Sequence, residues 1–186
     1  MNYLAQLPLR HLWLVGRDGH YDTPRWDSEQ LALALPNLEY LRIRNYHFTF
    51  KDLVFIAKHM SRLQQLSLWV QLSDWPSVDE LFLLPLTPSP SYLRFNIHIF
   101  RDILDPVEIR FGLSNNMLET IASGLHALWP KGLICETRRR PGEDSEALCT
   151  ARINEALKRM RDADERGNEM EVMYQTYPRK HIQPWF

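Results

Sequence analysis

The chain has 186 residues, 45% of them apolar and 24% charged, with a formal net charge of −1. That length supports one domain with a continuous core, and the near-cancellation of charge leaves no global field to select nucleic acid or an anionic membrane surface. Apolar runs such as Leu81 to Leu84, closed by Pro85, are far too short to span a bilayer, and the opening MNYLAQLPLR lacks the basic and apolar regions of a secretory signal.

In chain order, the first pattern is an L-x-x-L-x-L template at Leu9, Leu12 and Leu14. It returns at Leu38, Leu41, Ile43, at Leu63, Leu66, Leu68, and more loosely at Tyr92, Phe95, Ile97, with starts 29, 25 and 29 residues apart. Spacings of that size fit one strand and one helix per unit. Helix starts lie in phase with it. Asp27 is placed to cap with Gln30 three residues on, flanked by a Trp26/Leu31 staple. Thr49 repeats this with Asp52 and Phe48/Leu53, and Ser77 with Glu80 is a third capping box.

Past the third unit, Leu93, Phe95, Ile97 and Ile99 alternate, as do Val107, Ile109, Phe111 and Leu113. The period of two favours a strand hairpin around RDILDP over a helix starting at Asp105-Pro106. A helix follows over 116–128, opened by an Asn116/Glu119 box, then a strand at 133–136. ETRRRPGED reads as a loop. Residues 145–166 form a helix with Cys149, Ile153, Ala156, Leu157, Met160 and Ala163 on one stripe, the mark of a terminal cap. From Gly167 the polar composition predicts a loose tail. The expected organisation is a repeat unit over 1–136, a loop and capping helix over 137–166, and a flexible tail over 167–186.

The stretches LPLRHLWL, LPNLEYLRIRNYHFTFKDLVFIAKHMSRLQQLSL and LHALWP resemble the leucine-rich-repeat arms of fungal F-box-like proteins, over about Leu7 to Glu136. The resemblance implies an α/β fold: a short solenoid with parallel concave strands, helices on the convex side and a C-terminal capping helix. It also implies recruitment of a protein, as the substrate-recognition arm of a ubiquitin-ligase receptor does. The F-box itself is absent here, so a link to a cullin-type ligase depends on one lying upstream. The Asn three residues past each template is replaced by Arg17, Tyr46 and Gln71, so the turns there are built differently. The first repeat also has no cap of its own ahead of it. A stand-alone interaction scaffold with no ubiquitin link, or a fragment of a longer protein, are the alternatives.

If the template residues point inward, those between them face outward. This assigns Trp13, Tyr40, Arg42, Arg44, Gln65, Trp69, Arg94, Asn96 and His98 to a partner-binding concave face, beside His11, Val15 and Ser67. Aromatic and arginine side chains on one face are the composition of protein-binding hot spots; the competing reading is a solvated sheet with loops over Trp13 and Trp69. No H-x-x-x-H or C-x-x-C frame, G-x-S-x-G, P-loop or G-x-G-x-x-G occurs, so no catalytic role, metal or cofactor is expected. Arg138 to Arg140 form a basic cluster, either a phosphate or nuclear-import element or a loop neutralised by Glu143 and Asp144. Two cysteines, Cys135 and Cys149, and no N-x-S/T acceptor suit an intracellular, cytoplasmic or nuclear, protein, although one disulfide between them stays open.

Overall fold

The computed structural model describes residues 8–15, 27–72, 74–100, 113–136 and 144–176. Within them the chain alternates strand and helix: β1 (His11–Val15), α1 (Ser28–Ala34), β2 (Tyr40–Phe48), α2 (Phe50–His59), β3 (Gln65–Gln71), α3 (Val78–Leu83), β4 (Leu93–Phe100), α4 (Asn115–Leu128), β5 (Leu133–Glu136) and α5 (Asp144–Thr176). The five strands form one sheet in the order β1-β2-β3-β4-β5, and every neighbouring pair is parallel. Sheet order therefore follows chain order, and each helical connection advances the chain by one strand.

The sequence period reappears as strand register. His11 lies opposite Tyr40, Tyr40 opposite Gln65, and Gln65 opposite Arg94, which are the same 29-, 25- and 29-residue steps that separate the templates. One irregularity breaks the ladder. Arg42 faces Ser67, but the next partner of Trp69 is His47, so β2 spends extra residues between these two points. Asn45 occupies the left-handed region there (φ 62), a conformation Asn tolerates better than most residues.

Alternation divides each strand. Leu41, Ile43, Leu66, Leu68, Phe95, Ile97, Leu133 and Cys135 join one buried cluster with Leu31 of α1, Leu53 and Ile56 of α2, Leu81 of α3, Ile121 and Leu125 of α4, and Ile153 and Leu157 of α5. The described helices thus share one side of the sheet with the template residues. Leu9, Leu12 and Leu14 pack against this core only partly buried.

The expected helix starts are largely present. Asp27 accepts from Gln30 N–H at 3.0 Å. Asp52 accepts from both Thr49 N–H (2.7 Å) and Thr49 Oγ1 (2.8 Å), and also from Ser28 Oγ at the start of α1. Glu80 accepts from Ser77 N–H at 2.7 Å. Free Cys135 and Cys149 are both buried. Gly124 of α4 is needed where it stands, because a Cβ there would lie 2.9 Å from both Phe50 Cε2 and Trp75 Nε1.

Three expectations need correction. Tyr92 does not open a fourth buried template; it is 72% exposed while Leu93 takes the core position. The chain reaches β4 along an extended stretch in which Ser89 N–H donates to Leu128 O, so the turn geometry of the earlier units is not repeated. Tyr92 lies over Gly132 (φ 157), whose Cβ would fall 2.4 Å from the ring. The cap of α4 is Ser114, accepting from Met117 N–H at 3.2 Å, and not Asn116. Glu119 instead bonds Arg159 of α5. Finally, α5 continues through Gly167 to Thr176; Glu, Met and Gln are good helix formers, and one exposed Gly is tolerated. Its buried stripe runs from Cys149 to Leu157, with Met160 partly buried and Ala163 exposed. Trp26, the 107–112 segment, the Arg138–Arg140 cluster and residues 177–186 lie outside the described residues.

Candidate functional site

The face opposite the core carries every residue expected on a binding surface, and the register orders them into rows. The first row runs His11, Tyr40, Gln65, Arg94, Ile134. The second runs Trp13, Arg42, Ser67, Asn96, Glu136. In the third, Val15 faces Arg44, and Trp69 faces His98 on one side and His47 on the other. The β2 irregularity is why Arg44 has no counterpart in β3 and why His47 joins this row. Sequence reading missed His47; the αL-tolerant Asn45 inside an unusually long strand was the available signal.

Aromatic and cationic groups interlock along these rows. The Arg42 guanidinium lies 4.7 Å from the centre of the Trp13 ring, and that of Arg44 lies 5.8 Å away. Trp69 stacks on His98 with centroids 5.7 Å apart and is tilted against His47 at 6.2 Å. His11 and Tyr40 are 6.0 Å apart.

Exposure differs from the simple outward-facing pattern. Trp13 is 59% exposed and Arg44 and Arg94 are exposed, but Arg42 is only 5% exposed and Ser67 is buried as well. Pairing across parallel strands brings the row-two side chains to within about 5 Å of one another, so the middle of the row is covered by its own neighbours. Among the described residues, Arg42 Nε and Asn96 Oδ1 are the two buried side-chain polar atoms with no hydrogen-bond partner. One is a donor and the other an acceptor. They lie on the same row, two strands apart.

Comparison with protein-family models, with curated proteins and with solved structures finds no match. The chemistry of the face therefore has to be read from its own residues. Among the described residues no group of three or more His, Cys, Asp or Glu is placed to hold a metal ion. None of the described helices is long and apolar enough to cross a membrane.

The strand ends add residues that sequence reading did not single out. Glu39, Arg62 and Lys131 stand in the turns leading into β2, β3 and β5, and together with Arg94 and Arg161 they line a cleft of about 940 Å3. These positions lie outside the strand alternation, so no period marks them.

Proposed function

We propose that the chain is a short leucine-rich-repeat solenoid that binds a protein on its open sheet face, without catalysis of its own. Its nearest functional analogy is the substrate-recognition arm of an F-box-type ubiquitin-ligase receptor. Support for the solenoid comes from the match between template period and strand register, and from helices that share one side of a sequentially ordered parallel sheet. Support for the F-box analogy is the repeat template alone.

The observation that carries the binding reading is the exposed Trp13 ring with the Arg42 and Arg44 guanidinium groups against it. Burying a guanidinium costs several kcal/mol unless its partners replace water, and the Trp13 ring returns only about 2 kcal/mol of that. The Arg42 Nε–H is buried without a hydrogen-bond partner, as is Asn96 Oδ1 two strands away on the same row, and stability alone does not favour either. Both atoms are closed to solvent, so a partner on this face meets its exposed side chains, Trp13, Arg44 and His47. Trp13, exposed at the row's edge, supplies the large apolar contact typical of interface anchors.

The test is affinity capture of interacting proteins with the full chain, compared with Trp13→Ala, Trp69→Ala and Arg42→Glu, each checked by circular dichroism. Loss of the same captured protein in folded variants is the expected result; undiminished capture by all three removes the face as the site. Whether the adaptor of a cullin-type ligase co-purifies separates the receptor reading from a free-standing scaffold.

A further inference from the structure

The cleft at the N-terminal ends of the strands has an unbalanced charge. Arg62, Arg94, Lys131 and Arg161 line it, against the single carboxylate of Glu39. Glu39 is itself paired with Arg10 at 3.6 Å. Among the described residues, no carboxylate lies within ion-pair distance of Arg62, Arg94 or Lys131. Arg161 is anchored by donating from Nη1 to Leu133 O at 3.2 Å, which fixes its place at the wall. A concave site lined by one sign of charge concentrates field and attracts the opposite sign.

The cleft is continuous with the open face. Gln65 and Arg94 belong both to its lining and to the first row of the sheet. One row further on lies the exposed Trp13 ring, with Arg42 against it.

We propose that the cleft takes carboxylates, and that the partner bound by the open face presents an acidic, Asp- and Glu-rich extended segment whose side chains enter it. The proposal rests on the protein-binding reading of that face. A polypeptide fits better than a nucleic acid strand for a specific reason. A phosphate backbone calls for a broadly basic surface, whereas this chain has a net charge of −1, and the exposed Tyr92 and Ile134 in the lining suit the side chains of a peptide. Arg62, Arg94 and Arg161 have planar forks suited to carboxylate oxygens, with Lys131 as a point charge.

The experiment uses the full chain and a fluorescently labelled Glu-rich peptide, followed by anisotropy over a range of salt. A same-length Gln-rich peptide, a single-stranded thymidine oligonucleotide and inorganic tripolyphosphate serve as competitors. The Glu-rich peptide is expected to bind at least roughly tenfold more tightly than the Gln-rich one, and to weaken as salt rises. Arg62→Glu and Lys131→Glu, both at exposed positions, are each expected to weaken it by roughly tenfold, with Lys131→Arg retaining most of the affinity. Binding that is unchanged by both charge reversals overturns the proposal, as does tighter binding of the oligonucleotide or the polyphosphate. The two readings also fail separately. Capture of a partner that is lost in Trp13→Ala but intact in Arg62→Glu and Lys131→Glu removes the cleft and leaves the face. Capture indifferent to Trp13, Trp69 and Arg42 removes the face, while the peptide titration still reports on the cleft.

Discussion

The side-chain amide of Asn154 makes a double hydrogen bond to the backbone of Cys135, with Cys135 N–H donating to Oδ1 and Nδ2 donating to Cys135 O, each at 2.8 Å. Cys135 lies on β5, the last strand of the described sheet, and its pairing to β4 is made from the other side. One helix side chain therefore does what a further strand would do. Two residues back along the same edge, Leu133 O accepts from Arg161, one more residue of α5. An open strand edge is a template for unwanted pairing, and α5 closes it with these two polar side chains over the stripe of Cys149, Ile153 and Leu157.

Replacing Asn154 by Leu leaves the N–H and C=O of a buried residue unsatisfied at once. The expected loss is about 2–4 kcal/mol, measured as a lower midpoint in urea unfolding, and the freed edge is expected to raise self-association in light scattering. Asn154→Asp retains only an acceptor and should fall between the two. If Asn154→Leu unfolds with the wild-type midpoint, α5 does not act as the edge closure.

Asp52 ties two helix starts together. It holds the Thr49 cap of α2 and receives Ser28 Oγ from the first turn of α1, and all three residues are buried. Asp52→Ala removes the cap and strands the Ser28 hydroxyl, with an expected cost of about 2–3 kcal/mol. Asp52→Asn, which keeps an acceptor, is expected to cost about half as much. Equal losses in the two variants would mean that the contacts matter through packing and not through hydrogen bonding.

The α/β alternation and most of the buried strand positions were legible because the features that encode them are local and periodic. Leu38, Leu41, Ile43, Leu63, Leu66 and Leu68 are all in the core, and Thr49 and Ser77 open helices where their boxes placed them. Tyr92 and Asn116 were misread for the same reason. Each fits a pattern in sequence, but the choice between Tyr92 and Leu93, or between Asn116 and Ser114, is set by the incoming backbone, which the pattern does not contain. The open-face rows were legible as a set, because strand alternation fixes which residues share a side. The burial of Arg42, the admission of His47 by the β2 irregularity, and the gathering of Arg62, Lys131 and Arg161 depend on cross-strand neighbours distant in sequence, and no period records those.

The Ser77/Glu80 box predicts an acid-sensitive helix start. The Ser77 backbone N–H and hydroxyl, both donating to Glu80, hold its carboxyl below the usual value of 4.5, with desolvation opposing only weakly. A carboxylate lowered in the folded state stabilises above its unfolded pKa, and that contribution is lost as pH falls through the lower folded value. Side-chain NMR titration of Glu80 should therefore give a midpoint below 4.5, and Ser77→Ala should move it upward. A midpoint unaffected by Ser77→Ala would show that the box is not formed in solution.

Cys135 titrates in the opposite sense. Burial pushes its thiol from 9.0 up to about 12, so at neutral pH it is a protonated core side chain with almost no thiolate to react. The folded protein should leave Cys135 unmodified by iodoacetamide over times that fully alkylate the denatured chain, with mass spectrometry of the peptides locating the label. The sign for stability follows from the raised value: the folded state keeps a proton that the unfolded chain releases. Stability is thus complete below about 9.0 and falls as pH rises toward about 12, by up to about 1.4 kcal/mol per pH unit. Cys135→Ala tests this by comparison, since its alkaline unfolding should lose that slope even though the smaller side chain lowers stability at neutral pH. Rapid alkylation of Cys135 in the native protein would show that the edge sealed by Asn154 opens far more readily than its two hydrogen bonds imply, and that α5 is detached for much of the time.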